Sequence, residues 1–312
     1  MRNTQRDKLP LITVVTLSYQ SIHLYHTIRS VLSQDYPRIQ YIIADDGSEV
    51  FDANAVEAFV HANKRENLVD FCLIHHPQNI GTVADYNDAL MHAKGIYIFP
   101  LSGDDVFRND RVLSEWTAAF MRSGDPIMGA CCANYDESLR HFRGKWPHRK
   151  QIKLLLSRDW EQIYRVHETQ KLLPGCTLAR TKESLSSIGL FDTEYRLLED
   201  YPFIMQALRR RFAVGFWPKC AIKRRSGGVS DPESKNRVLE ADMEHFYEKE
   251  VFPYCENAEA LKLRLARGKA ASLENAVLLR QWEQGSLADK LRLMFKKPVW
   301  SMKRIAHTVF RI

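Results

Sequence analysis

Three pairs of adjacent acids stand out as groups able to do chemistry: Asp45-Asp46, Asp104-Asp105 and Glu199-Asp200. The first two pairs follow short apolar runs, Gln40 to Ala44 and Gly95 to Leu101, so each is delivered at the carboxyl end of a predicted strand. In open parallel sheets that edge is where ligands bind. Carboxylates gathered on one rim repel each other unless something positive or hydrogen-bonding lies between them. A divalent cation bridging to a diphosphate would supply the charge, and hard oxygen ligands suit Mg2+ or Mn2+. Asp-Gly-Ser and Gly-Asp-Asp are also good turn and helix-cap sequences. One such pair alone reads as a cap; two at matching strand ends read as a site. Glu199-Asp200 opens a helix that runs into Arg209-Arg210-Arg211, and acids there also complement the helix dipole.

The elements that must position these acids alternate along the chain. Leu11 to Leu17 reads as a buried strand and Ile22 to Ser33 as a helix that stops before Tyr36-Pro37. Strand Gln40 to Ala44, a helix near Asp52 to Asn63, strand Phe71 to Ile74, a helix to about Ala93 and strand Gly95 to Leu101 follow. That alternation predicts an α/β fold with a mostly parallel sheet flanked by helices. The pattern loosens from Asp136 to Leu173 and resumes at Cys176 to Ala179. A helix from Asp200 to Arg211, strand Phe212 to Trp217 and a Gly-hinged loop, Arg224 to Ser230, come next. From Glu233 onward the chain reads as helical. The predicted organisation is therefore a lead over 1–10, a catalytic domain over 11–232 and a helical, basic extension over 233–312. Thr16-Leu17-Ser18-Tyr19-Gln20 holds no glycine, which excludes a Rossmann or P-loop phosphate cradle after the first strand.

Composition narrows the class. The 312 residues are 45% hydrophobic, enough to bury a full core, and 14 Gly, 12 Pro and 6 Cys exclude collagen-like, low-complexity and disulfide-scaffold chains. The cysteines form no C-x-x-C pair and most lie in apolar segments, which predicts reduced, buried thiols. Met1 to Pro10 is polar, without a signal-peptide core, and no apolar run approaches the roughly 18 residues of a membrane span. A cytoplasmic protein is expected. The net charge of +7 is unevenly spread: Leu261 to Ile312 holds 12 basic and 3 acidic residues. There Leu287, Leu291, Met294 and Phe295, then Val299, Trp300, Met302, Ile305, Val309 and Phe310, recur at helical spacing among Lys and Arg. Basic amphipathic helices of this kind lie in anionic membrane surfaces. An apolar stripe packing on the rest of the protein is the alternative, and nucleic acid is not expected, because no binding module is recognisable.

The order T-L-S-Y-Q, D-D-G-S, N-I-G-T-V-A-D-Y-N-D-A-L, L-S-G-D-D and L-L-E-D-Y, over Leu11 to Ser230, resembles the family 2 inverting glycosyltransferases of GT-A fold, as found in bacterial surface-glycan synthesis. The resemblance implies that Thr16, Ser18 and Tyr19 lie along a nucleotide, usually that of a UDP-sugar. It implies that Asp45 binds the base while Asp46 and Ser48 shape its pocket, and that Asn79, Gly81 and Asn87 stand beside the ribose and diphosphate. Asp104 matches the metal-binding acid of the family's D-x-D motif, with Asp105 next to it. Ser102 replaces that motif's first Asp but can still bind a ribose oxygen, and Ser226 stands where relatives often have a His ligand.

Asp200 matches the general base that takes a proton from an acceptor hydroxyl, with Glu199 binding the acceptor, a glycan or lipid-linked glycan. Arg224 or Arg225 could clamp the diphosphate. A Q-x-x-R-W motif, common in processive synthases, is absent after Asp200, which favours single transfers. A lapsed domain acting as a binding partner, suggested by Ser102 and Ser226, and a nucleotidyltransferase of related architecture are the rival readings. Trp146, Trp160 and Trp217 are expected mainly as core or shell residues, and His75, His76, His141, His148 and His167 receive no role from spacing.

Overall fold

The structure is a computed structural model that describes residues 9–228 and 236–302. Most of the lead, Val229 and Ser230 of the expected loop, and the tail residues from Lys303 on lie outside the described residues. The chain divides into two compact units, Met1–Pro253 and Tyr254–Ile312.

The first unit begins with the expected alternation: β1 (Ile12–Ser18), α1 (Leu24–Leu32), β2 (Ile39–Asp45), α2 (Ala53–Asn63), β3 (Leu68–His75), α3 (Thr82–Met91) and β4 (Tyr97–Ser102). These strands pair in parallel in the order β3-β2-β1-β4. Every residue of β2 is buried and β1 is nearly so, the signature of strands covered on both faces. Asp52 caps α2 by accepting from the Ala55 N–H at 2.9 Å.

The sheet continues through β5 (Val106–Phe107), α4 (Val112–Ser123), β6 (Ile127–Tyr135), β7 (Phe142–Trp146), α5 (Arg149–Ser157), α6 (Trp160–His167), β8 (Leu178–Thr181), α7 (Ser184–Ser187), α8 (Asp200–Arg209) and β9 (Val214–Arg225). β8 joins the halves by pairing antiparallel with both β4 and β6, and β6 pairs in parallel with β9. The loosely patterned stretch from Asp136 thus contains a strand and two helices. β9 is longer than the expected Phe212 to Trp217; it passes register shifts opposite Cys131 and carries Arg224 and Arg225 within the strand, not in a loop. Trp217 stacks on Trp116 in the core, with ring centroids 6.0 Å apart, beside Phe99 and Phe120. It is therefore no sugar platform, and Trp160 packs instead under the Arg158 guanidinium.

The first unit runs past the expected boundary at 232/233, because α9 (Arg237–Phe246) is built into it. The second unit contains α10 (Ala258–Gln284) and α11 (Leu287–Lys296). Ser286 and Asp289 form a reciprocal capping box at the start of α11. Residues 298–302 are helical again. Among the described residues no helix is long and apolar enough to cross a membrane.

Candidate active site

The parallel register places the first two acid pairs on one edge: Ser18 lies opposite Asp45, and Leu17 opposite Ser102. The loops beyond are stitched to the end of β1, Asp46 N–H donating to Ser18 O at 2.8 Å and Gly103 N–H to Leu17 O at 2.7 Å. Beyond this edge opens a cavity of about 660 Å³. Ser18, Tyr19, Asp46, Ser102, Asp104, Asp105, Glu199, Asp200 and Arg225 of the expected set line it.

The remaining expected residues support the rim and do not line the cavity. Thr16 is fully buried in the sheet, with its hydroxyl 3.0 Å from Tyr41 Oη, because its side chain falls on an inner face of β1. Asp45 is also fully buried; it accepts from Ser48 N at 2.9 Å and Ser48 Oγ at 2.7 Å, and lies 3.0 Å from His75 Nδ1. Ser48 in turn accepts from Gln20 N–H at 2.6 Å, so the pair folds the turn after β2. Asp46 holds the loop before α3, accepting from Asn79 Nδ2 and from the Ile80 and Gly81 N–H groups. Burial raises its carboxyl above the usual range. Gly81 has φ +96°, and a Cβ there would lie 2.6 Å from the Arg196 side chain, so only glycine fits. Asn87 exchanges hydrogen bonds with the Phe191 backbone in both directions and anchors that loop.

Asp104 is half-buried and accepts from Ser21 Oγ at 2.5 Å. Asp105 turns inward. It is 3% exposed, accepts from the Arg225 N–H at 2.9 Å, and burial pushes it up to about 7. Arg225 is a brace as well: its Nε donates to Asp104 O at 2.6 Å and its Nη1 to Glu137 O, with Nη2 beside His26. Those contacts occupy the guanidinium that sequence reasoning offered to a diphosphate. For a metal, Asp104 is the fitting donor, a hard carboxylate on the cavity wall. Asp105 does not fit, being buried and engaged with Arg225. No group of three His, Cys, Asp or Glu able to hold a metal occurs among the described residues. A cation here would draw its remaining ligands from substrate oxygens and water, the usual arrangement for Mg2+.

On the other side of the sequence, Glu199 takes the N-cap position of α8 without a side-chain capping hydrogen bond, and Asp200 is the first residue of the helix. Both pack against Gly175, in a short 3-10 turn, where a Cβ would collide with Asp200 Oδ2 and lie 2.9 Å from Glu199 Oε1. Burial, then the Asp200 charge, push Glu199 up to about 8. The loop before it is fixed by Asp242 of α9, which accepts the N–H groups of Arg196, Leu197 and Leu198.

Sequence reasoning missed three charged groups here. Lys171, within the loosely patterned stretch, lies 2.5 Å from Asp200 Oδ2. Asp85 of α3 lines the cavity 3.1 Å from His76 Nε2, and burial with the neighbouring Asp46, Asp45 and Asp88 charges pushes it up to about 8. Its place after N-I-G-T, on the same helix as Asn87, was the available signal. Asp242 gave none, being far from the motifs it serves. Of the tryptophans, Trp146 at the end of β7 does line the cavity.

The sequence profile of glycosyl transferase family 2 matches residues 13–178. The chain is similar to a putative teichuronic acid biosynthesis glycosyltransferase, TuaG, of Bacillus subtilis, 29% identical over 38% of this chain and 48% of that one. It is also similar to the glycosyltransferase GlyG of Streptococcus pneumoniae, 28% identical over 42% of each. The chain thus spans less than half the length of these curated relatives. Among solved structures, S. aureus TarS 1–349 in complex with UDP-GlcNAc superposes with a TM-score of 0.54, 19% identity, and 76% of this chain and 66% of that one covered. The mannosyltransferase PcManGT of Pyrobaculum calidifontis, in complex with GDP-Man and Mn2+, gives 0.53 at 15% identity, covering 99% and 93%. At such identities the likeness carries the fold alone, the GT-A fold expected from the sequence.

Proposed function

The chain belongs to glycosyl transferase family 2, and from that premise we propose that it moves a sugar from a nucleotide-sugar donor, a UDP-sugar, to a glycan or lipid-linked glycan acceptor with inversion. The observation that carries this reading is one cavity lined by both Asp104, at the strand edge, and Asp200, at the head of α8. Ser18, Tyr19, Asp46 and Ser102 are the cavity residues suited to the nucleotide, and TarS bound to UDP-GlcNAc supports the choice of a UDP-sugar.

In the proposed reaction Asp200 accepts the proton of an acceptor hydroxyl as that oxygen bonds to the anomeric carbon. The bond from that carbon to the diphosphate breaks, and the nucleoside diphosphate leaves with its electron pair. Attack opposite the leaving group inverts the centre. Asp104 would hold Mn2+ or Mg2+, which when bound neutralises charge on the diphosphate. The Mn2+ in the PcManGT complex supports that assignment. Trp146, on the cavity wall, is placed to meet an acceptor sugar.

We further assign the protein to the inner face of a membrane. On α11 and the helical turn after it, Phe295 is 88% and Val299 67% exposed, beside the exposed Arg292, Lys296 and Lys297. Apolar and basic side chains together match an anionic lipid surface.

A thermal-shift panel of UDP- and GDP-sugars, each with and without Mn2+, tests the donor reading. UDP-sugars should raise Tm, and more so with Mn2+ present. No response to any nucleotide sugar in either condition would overturn it.

A further inference from the structure

Among the described residues Lys171 is the cation in direct contact with the carboxylate assigned as base. Its Nζ stands 2.5 Å from Asp200 Oδ2 in a site where Asp200 is 3% exposed. Its backbone is held on both sides. Leu172 N–H donates to His167 Nδ1 at 3.2 Å, Leu172 and Leu173 are buried, and Tyr201 of α8 donates its hydroxyl to His167 O at 2.6 Å. The helix that begins with Asp200 is therefore tied to the segment that presents Lys171. A lysine on a fixed backbone surrenders less freedom on pairing than one on a mobile chain.

The cation meets two acids, not one. Glu199 and Asp200 share the wall around Gly175, and adjacent carboxylates do not both ionise easily even with a cation at one of them. Among the described residues the other titratable groups beside them are Asp242 of α9 and Tyr86 of α3 at Glu199 and Tyr201 at Asp200, with His167 against Tyr201 and Lys171. Asp242 adds negative charge near Glu199 and so opposes its ionisation. Burial and Lys171 push His167 down to about 3, so it is neutral and brings no second cation.

We propose that Lys171 is the positioning residue that fixes the negative charge of this pair on Asp200 and leaves the proton on Glu199. Asp200 is then the ready base, and Glu199 a neutral carboxyl able to donate a hydrogen bond to the acceptor. Lys171 keeps its own protons throughout; the proton that Asp200 accepts passes to water after the product leaves. The assignment of roles rests on the proposed transfer with Asp200 as base, whereas the charge distribution does not.

The test is a carboxyl 13C NMR titration of the full chain. The Asp200 signal is identified by its absence in Asp200→Asn and the Glu199 signal by its absence in Glu199→Gln. In the wild type Asp200 should ionise at lower pH than Glu199. In Lys171→Met the Asp200 signal should move to higher pH, the effect of losing an opposite charge at contact distance, and Lys171→Arg should reverse that move. An Asp200 titration unchanged in Lys171→Met overturns the proposal. So does a wild type in which Glu199 ionises first, a result that needs no folded Lys171 variant. Transfer that survives in Asp200→Asn would instead remove the base reading and leave the charge assignment standing.

Discussion

Asp85 lies 1% exposed under the cavity, among Asp45, Asp46 and Asp88. A carboxyl held at about 8 when folded, against 3.8 for an unperturbed aspartate, binds a proton in the folded protein that the unfolded chain has released. Between those two values stability therefore falls as pH rises. Asp85→Asn removes that dependence, so its Tm relative to wild type should climb from pH 5 to pH 8.5. Parallel differential scanning calorimetry checks it; a constant Tm difference across that range would contradict it. The acid pairs were legible because adjacent acids at element ends are visible in the one-dimensional pattern. Arg225 was not: it reaches Asp105 across 120 residues, so the contact that makes it a brace exists only once β9 is in register. Thr16 shows the opposite failure, a motif residue whose strand face turns it into the core.

At the scale of elements, α9 is what holds the loop before the proposed base. Asp242 is 7% exposed and accepts three backbone N–H groups from Arg196 to Leu198. Asp242→Ala would leave those donors unpaired, at about 1–3 kcal/mol for each one that stays buried. The expected outcome is a lower Tm, faster amide exchange at Leu197 and Leu198 by hydrogen-exchange mass spectrometry, and transfer reduced at least tenfold with UDP binding retained. Exchange unchanged at those amides would contradict this role. The four parallel strands were readable from their apolar runs. β6 was not: Gly129, Ala130, Cys131 and Cys132 show neither alternation nor β-branching, and its place is set by pairing with β7, β8 and β9. α9 lay beyond the expected domain boundary because its allegiance depends on Asp242, not on its helical pattern.

For the whole molecule, the charge separates along the chain: 12 basic and 3 acidic residues from Leu261 to Ile312, against 33 and 35 before them. Each Lys or Arg near an anionic bilayer contributes about 1 kcal/mol, falling off with salt. Deleting Leu287 to Ile312 should therefore weaken sedimentation with phosphatidylglycerol vesicles more than tenfold, while UDP binding persists; undiminished vesicle binding would contradict the membrane assignment. That division of charge was legible from the order of residues along the chain, and so, from the alternation of apolar runs, was the fold class. The cavity, in contrast, is assembled from segments as far apart as Ser18 and Arg225, and only the folded chain brings them together. The central claim is that Asp200 is the base that takes the acceptor's proton, and the direct measurement compares Asp200→Asn with wild type for sugar transfer and for UDP affinity. The account predicts transfer reduced by about 100-fold or more, in line with the usual contribution of a positioned base, with UDP binding unchanged. Wild-type transfer in that variant would contradict it.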